Sequence, residues 1–91
     1  MTDSATTPDD RFVTIRLFAA AKERARADMV TVKVPSTASI GALREALGLT
    51  VPALRPLVPY LLFAVDAAYA RDDATIPQSG EVVAFPPVSG G

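Results

Sequence analysis

Two segments with alternating apolar residues constrain the fold more than any other feature of the chain. Residues 11–18 carry an apolar side chain at every second position, at Val13, Ile15 and Leu17. Residues 29–34 repeat the pattern with Val30, Val32 and Val34 before Pro35. Such alternation predicts half-buried strands. The connection 19–27 is rich in Ala, Lys, Glu and Arg and favours a short helix, so we expect the two strands to pair antiparallel.

One main helix is predicted after these strands. Ser39 is placed to cap its N-terminus, and an apolar stripe recurs at helical spacing with Ile40, Leu43 and Leu47. Gly48 stands where a helix commonly ends. A helix of about eight residues is marginal alone. We therefore expect it to pack on the sheet.

The second half of the chain predicts short strands separated by loops. Residues 50–59 hold three prolines among apolar residues and indicate an irregular apolar loop. Residues 61–66 and 81–85 are strand-like, and an edge strand is expected at 69–71 after a tight turn. The element order predicts an α+β fold. It matches the ubiquitin-like β-grasp: a mixed sheet covered by one main helix, with a free C-terminal Gly-Gly tail.

Three regions are expected from this order. Residues 1–10 are polar and predict a flexible N-terminal extension. Residues 11–87 are predicted to form the β-grasp domain, and residues 88–91 a reactive C-terminal tail. A chain of 91 residues is long enough for one small domain.

Composition excludes several kinds of function. The chain has no cysteine and no histidine, so it lacks thiolate nucleophiles, imidazole bases and the commonest metal ligands. No metal site is therefore expected. The net charge is −1 without a basic stripe, which disfavours nucleic-acid binding. No apolar stretch is long enough for a membrane span, and no secretory signal precedes the first strand. We expect a soluble cytoplasmic protein.

Several side chains allow more than one interpretation. Phe18 and Phe63 are interpreted as core residues. The basic residues of the first link are interpreted as a solvated face, with a partner contact as the alternative: Lys22, Arg24 and Arg26. The apolar residues of the proline-rich segment either fill the core or form an exposed patch for a partner: Leu54, Leu57 and Val58. Adjacent Asp72 and Asp73 should point apart, which argues against an acid–base pair.

The chain ends in Gly90 and Gly91 after a stiff proline pair. Without side chains, these glycines can pass through a slot that would exclude other residues. The terminal carboxylate is an anion at neutral pH and a poor electrophile, so a second, ATP-dependent enzyme must activate it. A thiol donor would then leave a thiocarboxylate, and a lysine acceptor an isopeptide. A Gly-Gly end alone is also typical of an idle tail, but the preceding Phe-Pro-Pro-Val-Ser favours function.

Residues 81–91 read Glu-Val-Val-Ala-Phe-Pro-Pro-Val-Ser-Gly-Gly. This tail resembles the small subunit of molybdopterin synthase, the MoaD family. Residues 15–19, 39–44 and 61–66 also resemble that family, and the likeness covers residues 12–91. The sequence departs from it at Asp66, where the family usually has Asn, and at Ser79-Gly80, where it has Gly-Asp. The N-terminal extension and residues 50–59 are atypical as well.

The resemblance implies a sulfur carrier that is not catalytic alone. Gly91 would be adenylated and converted to a thiocarboxylate, with Gly90 giving a narrow approach. The tail residues that would meet a partner are Phe85, Pro86, Pro87, Val88 and Ser89; the prolines and Val88 would aim the tail, and Phe85 would anchor its base. Sulfur would pass to a cyclic pyranopterin monophosphate on the way to the molybdenum cofactor.

The resemblance also implies partners. They are an ATP-dependent activating enzyme, a sulfur donor and the large subunit of molybdopterin synthase, with two small and two large subunits in a heterotetramer. No bound cofactor is expected beyond the transient glycyl adenylate and thiocarboxylate. The alternatives are a carrier for thiamine or cysteine synthesis, a ubiquitin-like protein modifier, or a β-grasp interaction module that is never activated.

Overall fold

The structure, a computed structural model, describes residues 10–79 and 81–87. The elements follow the predicted order, with two single-turn 3₁₀ helices in the proline-rich segment. Their bounds are β1 Asp10–Leu17, α1 Ala19–Ala25, β2 Met29–Pro35, α2 Ile40–Thr50, the 3₁₀ helices Pro52–Leu54 and Val58–Tyr60, β3 Leu62–Val65, β4 Ala68–Ala70 and β5 Glu81–Phe85. β1 thus begins one residue before the predicted strand. The proposed division into extension, domain and tail stays a prediction.

The five strands form one mixed sheet in the order β2-β1-β5-β3-β4. β1 pairs antiparallel with β2 and parallel with β5, and β3 pairs antiparallel with both β4 and β5. The predicted α+β architecture with a mixed sheet is confirmed. The terminal strand β5 therefore lies in the middle of the sheet, between the first strand and the β3–β4 hairpin.

The core lies between one sheet face and α2. The predicted inward residues of β1 are fully buried, and the stripe of α2 is buried against them. Ser39 caps α2 as predicted, since its Oγ accepts a hydrogen bond from the backbone N–H of Ala42 at 3.3 Å. Phe63 of β3 is buried in the same core, as expected.

The predicted end of the main helix at Gly48 was wrong. α2 continues to Thr50, and the Val51 N–H bonds to the carbonyl of Leu47 at 2.9 Å. Val51 leaves helical geometry, with φ −125° and ψ 86°, because Pro52 follows it and a residue before proline is disfavoured in the helical region. Gly48 is instead a contact point: a Cβ there would lie 3.3 Å from Cγ2 of Val58.

The proline-rich segment packs on the domain. Leu54 is completely buried, and Leu57 and Val58 are partly buried against the core. Core filling is therefore the correct interpretation of these residues, rather than an exposed patch. The expectation of a core position for Phe18 was wrong, because its side chain is 46% exposed. Phe18 follows Leu17 in extended geometry, which turns it to the sheet face opposite α2.

Candidate functional site

The predicted site begins where β5 ends. Phe85 is half-buried, Pro86 is also half-buried and Pro87 is exposed. Phe85 pairs with Leu62 of β3, and the neighbouring Ala84 carbonyl accepts a hydrogen bond from the Phe18 N–H at 3.3 Å. The base of the predicted tail is thus held from both sides. Val88, Ser89, Gly90 and Gly91 lie outside the described residues, and the partner-binding and covalent roles of residues 85–91 stay predictions.

An apolar surface surrounds this point on the sheet face opposite α2. We call it the tail-base patch, and it consists of Phe18, Leu62, Tyr69 and Phe85. The strand register places Leu62 beside Phe85, and Tyr69 beside Ala64 on the same face. The Tyr69 and Phe85 rings lie 6.0 Å apart between centroids. Tyr69 is 76% exposed and Leu62 37% exposed, so these large apolar side chains are open to a partner.

The rest of this open face is more polar. A shallow groove of about 220 Å³ crosses the sheet below the patch, and its walls include Thr14, Arg16 and Glu81. Met29 of β2 also lines the groove. The open face therefore combines an apolar end near Phe85 with a charged middle.

Sequence reasoning missed Arg44, which joins separate segments behind the patch. Its Nη1 donates to the carbonyls of Val58 at 2.6 Å and Leu61 at 2.8 Å. Its Nη2 lies 2.9 Å from Oδ1 of Asp72, and the guanidinium carbon lies 4.9 Å from the centre of the Phe63 ring. One signal was available: position 44 lies on the apolar stripe of α2, where a charged residue must find partners.

The other charged candidates behave as surface residues. Lys22, Arg24 and Arg26 are exposed on α1 and its end, as their interpretation as a solvated face requires. Within residues 10–79 and 81–87, no group of His, Cys, Asp or Glu side chains is arranged to hold a metal ion. In the same part of the chain, no helix has the length and apolar character needed to cross a membrane.

The chain is similar to known proteins over most of its length. The sequence pattern of the ThiS family matches residues 15–91. The molybdopterin synthase sulfur carrier subunit of Arabidopsis thaliana is 29% identical over 79 residues, which is 87% of this chain and 82% of the relative.

Solved structures resemble the chain as well. The crystal structure of SAMP1 from Haloferax volcanii has a TM-score of 0.78 at 28% identity and covers 89% of this chain and 100% of that chain. The solution structure of small archaeal modifier protein 1 from Methanosarcina acetivorans has a TM-score of 0.70 at 19% identity, covering 90% of this chain and 98% of that chain, and supports the fold alone. The chain belongs to the ThiS family and is similar to MoaD-like, ubiquitin-like sulfur carriers.

Proposed function

We propose that the chain is a cytoplasmic sulfur carrier for molybdopterin synthesis and acts as the small subunit of a heteromeric synthase. Family membership and the likeness to a molybdopterin synthase sulfur carrier subunit support this proposal. The observation that carries it is the end of β5: this central strand ends at Phe85 beside an exposed apolar patch, and Pro-Pro-Val-Ser-Gly-Gly follows Phe85 in the sequence.

The proposed chemistry takes place on the carboxylate of Gly91. An oxygen of that carboxylate attacks the α-phosphorus of ATP, pyrophosphate leaves, and a glycyl adenylate forms. Hydrosulfide released by the donor then attacks the acyl carbon and AMP leaves, which yields a thiocarboxylate. The large subunit passes this sulfur to a cyclic pyranopterin monophosphate, and water restores the carboxylate. The chain supplies no histidine or cysteine for these steps, so we assign the catalytic groups to the partner enzymes.

The tail-base patch fits the proposed need for a partner. A partner that draws in a narrow tail must also hold the domain from which the tail leaves. Phe18, Leu62, Tyr69 and Phe85 offer apolar area for that purpose at the end of β5. Aromatic residues of this kind commonly dominate the binding energy of a protein interface.

Intact mass spectrometry tests the proposal. The chain is incubated with ATP, the activating enzyme of the source organism and a sulfur donor. We expect a mass increase equal to replacement of one oxygen by sulfur, and stable co-purification with the synthase large subunit. A variant lacking Gly91 should keep the same melting temperature and show no mass increase. Full molybdopterin synthesis with that variant would refute the proposed role of the terminal carboxylate.

A second candidate is a ubiquitin-like protein modifier. Two solved structures of the Haloferax volcanii modifier protein share 28% and 26% identity with the chain, which favours this alternative specifically. Both functions begin with the same adenylate and then diverge. Isopeptide adducts to lysines of other proteins, seen by peptide mass spectrometry without a thiocarboxylate form, would favour the modifier. A thiocarboxylate that donates sulfur in a reconstituted synthase favours the carrier.

A further inference from the structure

A cleft adjoins the tail-base patch where the β3–β4 ladder stops. The last ladder pair on this side is Phe63 with Ala70, so Leu62 of β3 has no partner in β4. The cleft of about 290 Å³ opens beside this residue, and its lining consists of Arg44, Leu62, Phe63, Tyr69, Ala70 and Arg71. Leu62 and Tyr69 belong to the cleft and to the patch at once, so the two surfaces are continuous.

The residues that line the cleft include two arginines, Arg44 and Arg71, and no acidic residue. Asp72 and Asp73 follow Arg71 in the chain; Asp72 pairs with Arg44, and Asp73 lines the neighbouring groove, which Arg71 also lines. Asp72 is already engaged by Arg44, whose side chain is only 18% exposed. Arg71 is exposed, and within the described part of the chain its side chain forms no ion pair. The Arg71 guanidinium is thus available to bind a carboxylate of another protein, and the apolar side chains of the cleft lie next to it.

We propose that this cleft receives an acidic side chain, flanked by an apolar residue, from the activating enzyme. The inference rests on the proposed function, because it concerns the enzyme that adenylates the tail. Both the carrier and the modifier require that enzyme, whereas the synthase large subunit serves the carrier only. Continuity with the tail-base patch places the cleft within reach of any protein that holds the base of the tail.

Two arginines have different roles in the proposed site. Arg71 contacts the carboxylate, and its planar guanidinium can form a two-pronged pair with it. Arg44 is a positioning residue: it binds the carbonyl of Leu61 before β3 and the carboxylate of Asp72 after β4. It thereby fixes both ends of the hairpin that carries Leu62 and Tyr69.

Steady-state adenylation of the full chain by the source organism's activating enzyme tests the site. We expect Arg71→Glu to raise KM for the chain about tenfold with kcat unchanged, because an exposed interface charge acts on association more than on chemistry. Arg71→Lys should recover part of the loss. Arg55→Glu, the same charge change at an exposed residue on the α2 side, should match the wild type. The KM difference between Arg71→Glu and wild type should shrink as salt is raised.

The outcomes separate this inference from the proposed function. If the wild-type chain is adenylated and Arg71→Glu has the same KM as Arg55→Glu, the cleft is not the docking site and the carrier function stands. A fall in kcat with unchanged KM overturns the inference as well. If the wild-type chain is not adenylated at all, the proposed function fails and the docking site fails with it.

Discussion

Arg44 shows how one side chain can organise distant parts of a small domain. Its guanidinium binds two backbone carbonyls, one carboxylate and the face of the Phe63 ring. Val58 begins the second 3₁₀ helix, and Leu61 lies between that helix and β3. A charge on the buried side of a helix is costly unless such partners are present. The fold around β3 therefore depends on this residue.

We expect Arg44→Met to lower the free energy of unfolding by about 2 kcal/mol, because the hydrogen bonds from a charged group to the carbonyls of Val58 and Leu61 are lost. Urea unfolding followed by circular dichroism measures the change. Asp72→Asn is the control. Its side chain is 61% exposed, so the loss of its charge should cost less than about 1 kcal/mol. Equal losses in both variants would contradict the importance of the carbonyl contacts.

At the scale of elements, the β3–β4 hairpin turns through two residues with left-handed backbone. Asp66 has φ 52° and Ala67 has φ 67°. A two-residue turn of this hand matches the twist of the flanking strands. Asp tolerates the conformation better than Ala, which has no polar group to compensate. The hairpin that carries Tyr69 thus contains a strained residue at its tip.

We expect Ala67→Gly to raise the free energy of unfolding by about 0.5 kcal/mol, since relief of the left-handed strain exceeds the extra entropy of glycine in the unfolded chain. Differential scanning calorimetry should show a melting temperature higher by about 3 °C. Ala70→Gly, in the extended strand next to it, should lower the melting temperature. A lower melting temperature for Ala67→Gly would disprove the strain argument.

Gly48 of α2 limits how large a side chain the contact between the helix and the proline-rich segment can accept. A Cβ at this position would contact the side chains of Val58 and Arg55 in the proline-rich segment. The absence of a Cβ therefore lets that segment pack closely against α2. Glycine weakens a helix interior by about 1 kcal/mol relative to alanine. The close contact offsets that weakness, which explains why the helix runs past the residue.

Gly48→Val should therefore lower the free energy of unfolding by about 1–2 kcal/mol through overpacking, although valine is the better helix former. Ala42→Val on the exposed side of the same helix is the matched control and should cost about 0.5 kcal/mol or less. Chemical denaturation of both variants gives the comparison. A Gly48→Val variant more stable than wild type would mean that Val58 and Arg55 can move aside at little cost.

The whole molecule has two unlike surfaces. α2 and the proline-rich segment cover one sheet face, and the other face is open and ends in the tail-base patch. Leu49, 70% exposed on α2, is a large apolar residue on the covered side. Exposure alone therefore does not distinguish the two sides. What distinguishes the patch is its position around the end of β5.

We expect Leu62→Asp to weaken binding of the synthase large subunit at least tenfold, about 1.4 kcal/mol or more, because a charge replaces apolar area at the base of the tail. Leu49→Asp should leave the affinity unchanged. Isothermal titration calorimetry measures both, and circular dichroism checks that both fold. An effect of Leu49→Asp as large as that of Leu62→Asp would move the interface to the helix side.

Much of this arrangement could be predicted from the pattern of apolar residues and from the prolines that interrupt strands and helices. β1 and β2 could be predicted because an apolar residue at every second position indicates one covered face, and β5 because a short apolar run at residues 82–85 follows a turn and precedes two prolines. The exposure of Phe18 could not be predicted, since a large aromatic at a strand end suits the core and an interface equally. Nor could the bonds of Arg44, because Asp72 lies 28 residues away and carbonyl acceptors leave no mark in a sequence.

The central position of β5 has a mechanical consequence. Backbone hydrogen bonds hold this strand on both sides, in a parallel ladder with β1 and an antiparallel ladder with β3. A force applied along the chain beyond Phe85 therefore loads both ladders in shear, and the bonds share the load instead of opening one after another. An enzyme that draws in the end of the chain, as we propose, would therefore pull on a firmly held strand and would move the whole domain toward itself.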